Sequence, residues 1–344
     1  MVDIEQSLLR LTPEQKSTLK VLFLARQAPL AVDAVAPGLD EKVGVEPRYN
    51  HELYTTLREL GINCTPCRSL DEFVAQATNF DYVFTIYNRS DFRNSEIFVS
   101  SHCEKMGIPY LGAPPNVRGL AEDKSFAKHL AKSIGLATSE WTTYGMHDEL
   151  AAPNFAGPYF VKPRFGAASD EVSIESIQGD WPGLKSRIVD LLGKGKEAIV
   201  ERCIDGTDLT VPVLGGVRPM VLPVMEEISD LPAGISTFRQ KRQLDKGRVR
   251  RVFEDSELEK QIRASVQNLS SYVRPFDYIR ADFHLDKKTR EPVFLEFNIG
   301  CNLGSHAAIM QSAQHQGIDR HCVIEHLLAY SLWRQRRTTP GAMQ

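Results

Sequence analysis

In the C-terminal third of this 344-residue chain, polar residues able to bind phosphates and metal ions recur at every second position. In the run 278–286, Arg280, Asp282 and His284 alternate with Ile279, Ala281, Phe283 and Leu285. Six turn-like residues follow. Then, in the run 293–298, Val293, Leu295 and Phe297 fall on one face and Glu296 and Asn298 on the other. Period-two alternation on both sides of a short turn predicts an antiparallel hairpin. One face of it would present an arginine, an aspartate, a glutamate and an asparagine together. Carboxylate and amide oxygens are what magnesium takes, commonly shared with substrate phosphates. An arginine beside them can stabilise charge that develops on a transferred group. The competing reading is a hairpin with one solvated face, common in antiparallel sheets.

Other chemistries find less support. Cys64 and Cys67 have the spacing of a redox or zinc half-motif, but no second pair completes a zinc site. The nine histidines show no ligand spacing, and only His284 and His306 fall near the hairpin. Cys301 lies beside the same place without an identifiable base, so a nucleophilic role has no partner. Neither a Gly-x4-Gly-Lys loop nor a Gly-x-Gly-x-x-Gly element occurs, which argues against P-loop ATPases and dinucleotide oxidoreductases.

The elements that must position the hairpin alternate between strands and helices. Residues 1–15 read as a polar leader or short helix, 19–25 as a buried strand and 26–49 as a polar loop. A helix over 50–60 ends at Gly61, and a strand over 80–87 precedes a helix over 96–106 ended by Gly107. A short third strand is expected at 108–112, with Cys64 and Cys67 between a helix and a strand. Beyond residue 117 the spacing predicts one helix over 120–134, then strands at 159–163, 172–174, 197–204 and 209–214, and an amphipathic helix over 257–272. The organisation expected is an N-terminal open α/β domain (1–116), a central lobe (117–204), a C-terminal lobe carrying the hairpin (205–336) and a frayed tail (337–344). Composition fits a multi-domain globular chain: 42% hydrophobic, 25% charged. A net charge of -3 argues against a dedicated nucleic-acid binder. No apolar run approaches the ~18 residues that cross a bilayer. No signal peptide is evident, so a cytoplasmic protein with reduced thiols is expected.

The segments 279–283 and 295–298 resemble the metal-binding signature of the D-alanine–D-alanine ligase-like branch of the ATP-grasp enzymes. Four upstream segments agree in order and spacing: 122–124, 160–163, 166–169 and 199–208. The match runs from about residue 80 to 330. It implies an α/β ATP-grasp fold, with ATP bound between two α+β lobes behind the N-terminal domain. It also implies an enzyme that joins a carboxylate to an amine through an acyl phosphate. By this resemblance Lys124 and Lys162 hold the ATP phosphates, and the loop from Gly166 to Ser169 covers them. Glu201 accepts from the adenine amino group, the backbone at Cys203 and Ile204 reads the purine edge, and Asp208 binds the ribose. Lys241 belongs to a loop that closes over ATP. Asp282, Glu296 and Asn298 hold two magnesium ions, with manganese as a substitute, and Arg280 stabilises the oxyanion. A homodimer formed through the first domain is implied as well.

The chain departs from the family's pattern at several places. A glycine is common where Glu171 stands, a glutamate where Asp208 stands, and a tyrosine where Arg242 follows Lys241. In the first domain only Glu96 and Asn88 match expected substrate contacts, with Glu46 a weaker counterpart for an amino-group ligand. After Asn298 the family has a Pro-Gly and a serine that grips the acceptor's carboxylate. Here the stretch contains Asn302, Gly304, Ser305 and His306, the candidate substrate contacts, and Ala307 at the serine position. Alanine cannot make that hydrogen bond, so the expected acceptor is a specialised metabolite or unusual amino acid rather than D-alanine. Two alternatives stay open: another ATP-grasp activity (cyclising ligation or phosphoryl transfer) and a non-catalytic nucleotide-binding protein.

Overall fold

The computed structural model describes residues 5–30, 37–38, 42, 44–92, 94–166, 169–243, 246 and 248–335, so the tail expected at 337–344 lies outside the described residues. A capping box at Thr12 starts α1 (Pro13–Thr18), which leads into β1 (Lys20–Leu24). The next helix, α2 (Glu46–Glu59), begins a turn earlier than its apolar spacing suggests, with a proline in its first turn. The segment 63–67, expected as a link between elements, is itself β2 (Asn63–Cys67). Pro66 is tolerated there because β2 is an edge strand. After α3 (Leu70–Gln76), β3 (Tyr82–Thr85) pairs with β1 on its other side, giving a parallel sheet of order β2-β1-β3. Then comes α4 (Phe98–Met106). The third strand expected at 108–112 reduces to one bridge between Tyr110 and Val83. Every residue of the β1 run Val21–Leu24 is fully buried, as a strand covered on both faces requires.

The helix expected over 120–134 is two helices, α5 (Pro115–Glu122) and α6 (Lys124–Ser133). Asp123 breaks them. Its extended backbone pairs with Phe165, and its carboxylate caps α6 by accepting from the N–H groups of Ser125 and Phe126. The central lobe contains β4 (Trp141–Tyr144), β5 (Tyr159–Pro163), β6 (Ile177–Gln178), α7 (Trp181–Gly193) and β7 (Ala198–Arg202). They form an antiparallel sheet β4-β7-β5-β6. The strand expected at 172–174 falls in a turn and a 3-10 segment capped by Ser173; pairing resumes only at Ile177.

The larger sheet is built by β8 (Gly206–Leu214), β9 (Met220–Val221), β10 (Met225–Ser229), β11 (Arg248–Val252), β12 (Tyr278–Asp286) and β13 (Pro292–Ile299). Its order is β11-β10-β8-β12-β13. The short α8 (Phe238–Lys241) lies between β10 and β11, and α9 (Ser256–Tyr272) precedes β12. One face of this sheet buries Val211, Val213, Ile279, Ala281, Phe283 and Phe294 against α5, α6 and α9. Each of these side chains larger than alanine contributes roughly 1.5–3 kcal/mol. The other face is left for the site. Finally, α10 (Ala308–His315) and α11 (Arg320–Arg334) return to the first domain, where Ile324, Leu327 and Leu328 share a core with Phe23 and Tyr54. Among the described residues no helix is long and apolar enough to cross a membrane.

Candidate active site

The expected hairpin is present, with β12 and β13 antiparallel and Asp282 opposite Glu296. Its alternation is broken once. Between Asp282 and Phe283 the register slips, so Phe283 faces Phe294 and Leu295 is extra. This β-bulge corrects the expected face assignment: Phe294 enters the core, and Leu295 turns to the cleft beside Glu296.

On the cleft face Arg280 clasps Asp282 with two hydrogen bonds, Nε to Oδ1 at 2.8 Å and Nη2 to Oδ2 at 2.7 Å. Asn298 Nδ2 donates to Asp282 Oδ2 at 2.9 Å and to Glu296 Oε1 at 3.3 Å. Thr210 on β8 donates to Asp282 Oδ1 at 3.1 Å, a support that motif spacing did not single out.

Opposite the hairpin stand two lysines placed by different means. Lys124 is the first residue of α6, set there by the Asp123 cap, and its ammonium donates to the Gly166 carbonyl and lies 3.8 Å from Glu296. Lys162 comes from β5 and pairs with Glu201 of β7 at 3.0 Å. A third lysine, Lys128, was missed because it carries no motif. It is fully buried, 3.6 Å from Glu201, and donates to Thr138 (2.8 Å) and Ser139 (3.0 Å). Burial lowers the Lys124 ammonium below its usual range and pushes Lys128 down to about 8. Burial also opposes the charges on Lys162, Glu201 and Glu296, but their partners prevail. Lys162 is raised by Glu201 and Glu296, and Glu201 is lowered by Lys128 and Lys162. Glu296 is held at about 2 by Lys124, Lys162, Lys241 and Arg280. A cluster of buried cations balanced by few carboxylates is suited to a polyanion.

These groups line one cleft of about 940 Å³. It also takes in Gly166, Ser169, Cys203, Ile204, Asp208, Lys241, Asn88, Glu96, Asn302 and His306. Residues 167–168 of the covering loop lie outside the described residues. Glu171, where a glycine is usual, adopts φ +57°, the left-handed region that favours glycine, and its carboxylate is tied to Lys194 (2.8 Å) and Lys196 (3.2 Å). The Cys203 N–H already donates to Pro158 O, which leaves its carbonyl and the Ile204 backbone for a purine edge. Asp208 accepts from His284 Nδ1 at 2.8 Å.

Two expected substrate contacts are not in the cleft. The Gly304 N–H donates to Asn302 Oδ1 (2.7 Å), and this tight turn directs Ser305 outward, where its hydroxyl binds Glu52 at 3.1 Å. Glu46 lines the cleft but is paired with Arg242. Cys301 is buried beside Arg280, and burial raises its thiol to about 11, which disfavours a nucleophilic thiolate. Cys64 and Cys67 are buried in β2 with thiols raised to about 12. Among the described residues no three His, Cys, Asp or Glu side chains form a metal cage by themselves. The donor set of Asp282, Glu296 and Asn298 nevertheless fits magnesium. Their side chains converge through hydrogen bonds, and hard-cation sites of this kind are completed by phosphate oxygens and water.

Solved structures share this architecture. The D-alanine–D-alanine ligase from Bacillus anthracis complexed with ATP superposes with a TM-score of 0.71 at 18% identity, covering 93% of this chain and 99% of that one. The VanG D-Ala:D-Ser ligase from Enterococcus faecalis gives 0.69 at 18% identity, covering 91% and 99%. The fold is therefore ATP-grasp, and fold and site together define an ATP-dependent ligase that forms a carbon–nitrogen bond between a carboxylate and an amine. The model of the family "D-ala D-ala ligase C-terminus" matches residues 130–329, and the chain belongs to that family. Among curated relatives, the D-alanine–D-alanine ligase of Aquifex aeolicus (strain VF5) is 29% identical over 219 residues, covering 63% of this chain and 71% of the relative. That of Carboxydothermus hydrogenoformans is 23% identical over 321 residues, covering 88% and 98%.

Proposed function

We propose that this chain activates a substrate carboxylate with ATP and magnesium and passes the acyl group to an amine other than D-alanine, on a specialised metabolite or unusual amino acid. The observation that carries the reading is the placing of Arg280, Asp282, Glu296 and Asn298 opposite two buried lysines, Lys124 and Lys162, across one cleft. In the first step a carboxylate oxygen bonds to the γ-phosphorus as the bond to the β,γ-bridging oxygen breaks, and ADP leaves. In the second the amine nitrogen bonds to the acyl carbon, phosphate leaves with the electron pair, and the nitrogen loses a proton. Positioning and electrostatics do the work. Lys124, Lys162 and the 166–169 loop hold phosphates, Glu201 and the 203–204 backbone take the adenine, Asp208 the ribose, and Lys241 closes over them. Arg280 stabilises the tetrahedral oxyanion. Magnesium, held by Asp282, Glu296 and Asn298, supplies charge neutralisation to the phosphoryl group.

The residues that follow β13 bear on the acceptor. Ala307 lines the cleft with no side-chain donor, its N–H donating to Gly304 O, and Asn302 spends its side-chain oxygen on the Gly304 N–H. A pocket built to hydrogen-bond a group rejects analogues strongly, and this one lacks the family's hydroxyl. We also propose a homodimer working in the cytoplasm, with light scattering as the test of the dimer.

The deciding experiment is ADP release with ATP and magnesium over a panel of amino acids and amines, with products read by mass and Asp282→Ala and Arg280→Ala as controls. A product lighter than its two substrates by one water supports ligation. A mass gain of one phosphate instead indicates phosphoryl transfer. Best turnover on D-alanine alone would overturn the acceptor argument.

A further inference from the structure

Five arginines of the cleft are at least partly buried, and four of them have a carboxylate partner. Arg89 pairs with Glu122, Arg242 with Glu46, Arg250 with Glu227 and Arg280 with Asp282. Arg118 does not. It sits on α5 with only 6% of its surface exposed, yet among the described residues it enters no ion pair. Its Nε donates to Ala113 O and its Nη2 to Leu111 O, both at 3.0 Å. These bonds fix one edge of the guanidinium against Gly112, where a Cβ would lie 2.1 Å from Nη2. The donors of Nη1 are left for the cleft, which Arg118 lines. A buried charge is ordinarily paired, because desolvation without a counter-charge is costly. A guanidinium locked on one edge and unpaired on the other is built for an anion that arrives from outside the chain.

Two neighbours describe the rest of that ligand. Asn88 Nδ2 donates to Gly300 O at 2.7 Å, which leaves its Oδ1 a buried acceptor with no partner. Glu96 lines the same end of the cleft, and burial holds its carboxyl above the usual range, partly offset by Arg89 and Arg118. An acceptor and a carboxylate beside an unpaired arginine complement an ammonium next to a carboxylate. Gly300 follows Asn298 by two residues, so this head-group pocket adjoins the hairpin that carries Arg280.

We propose that Arg118 reads a non-reacting carboxylate of the acyl donor, and that the donor is an amino acid bearing two carboxylates. Its ammonium faces Glu96 and Asn88 Oδ1, Arg118 holds one carboxylate, and the second reaches the phosphoryl group near Arg280. This rests on the ligase reading above.

The test uses the full chain with a non-hydrolysable ATP analogue and magnesium. Titration calorimetry measures aspartate and glutamate, both enantiomers, against asparagine, glutamine and alanine, for wild type, Arg118→Gln and Arg118→Lys. The expected result is at least tenfold tighter binding of one acid than of its amide. That preference is lost in Arg118→Gln and partly restored in Arg118→Lys, with nucleotide affinity unchanged. Wild type that binds acid and amide alike overturns the proposal whether or not the variants fold, and so does a preference that survives in Arg118→Gln. Acid binding without ADP release in a parallel turnover assay leaves Arg118 its anion and sinks the ligase reading. ADP release on neutral amino acids, unchanged in Arg118→Gln, sinks the pocket and keeps the ligase.

Discussion

Arg280 and Asp282, two residues apart on one strand, bind each other through both guanidinium edge donors and both carboxylate oxygens, at 2.8 and 2.7 Å. The pair holds the arginine's plane fixed over the cleft floor. It also sets the Asp282 carboxylate beside Glu296 and Asn298, the other two proposed magnesium donors. Each partner therefore positions the other, as well as having its own proposed role.

Arg280→Ala removes the proposed oxyanion donor and is expected to lower kcat by about 10²–10³-fold with little change in nucleotide affinity. Asp282→Asn keeps the shape but loosens Arg280 and alters a proposed magnesium ligand, so the magnesium concentration for half-maximal rate should rise as well. Steady-state ADP release at varied magnesium separates the two. Retention of turnover within about tenfold by Arg280→Ala would remove it from the chemistry.

Glu201 is the counter-charge for two buried ammoniums, Lys162 at 3.0 Å and Lys128 at 3.6 Å. Glu201→Gln removes the nearest counter-charge of both, leaving the more distant Glu296. Breaking a buried pair from one side costs about 3–5 kcal/mol, so chemical denaturation should show a loss of that order. If Glu201 also accepts from the adenine amino group, the variant's preference for ATP over GTP should narrow in the same preparation.

Lys128 makes a pH dependence that can be signed. Burial holds its folded-state pKa at about 8, below the about 10.4 of an unfolded lysine. Between these values the unfolded chain binds more protons than the folded one, so stability contributed by this group rises with pH. Below about 8 both states are protonated and the burial penalty is fully present. Thermal melts from pH 7 to 10 should therefore show wild type gaining on Lys128→Met as pH rises. A constant difference would mean that Lys128 titrates normally.

Much of this site was legible because its chemistry sits in strands. Alternation in 278–286 exposed Arg280 and Asp282, and the segments around Lys124, Lys162 and Glu201 kept a recognisable order. What stayed hidden depends on single residues acting at long range. Asp123 reads as one more polar position in an amphipathic helix, yet by capping α6 and engaging Arg164 at 2.6 Å it splits that helix and points Lys124 at the cleft. The bulge at Leu295 has no signature in a run of apolar residues; only pairing with β12 reveals it. Ser305 looked available until its turn met Glu52, 253 residues away. Arg118 and Lys128 are ordinary helical cations until burial is known.

Gly300 links the hairpin to the first domain and yields the sharpest control. Its φ is +72°, and a Cβ there would lie 2.6 Å from Asn88 Oδ1. Gly300→Ala therefore combines backbone strain, about 1–3 kcal/mol, with displacement of the side chain that bridges to the Gly300 carbonyl. Gly61 has φ +84° with nothing within 4 Å of its would-be Cβ, so Gly61→Ala carries the strain alone. Both variants should lose stability in denaturant melts, Gly300→Ala at least as much as Gly61→Ala. Only Gly300→Ala should raise KM for the acyl donor, since only it moves Asn88. Equal effects of both substitutions on KM would show that Asn88 is not a substrate contact and that loss of stability explains the change.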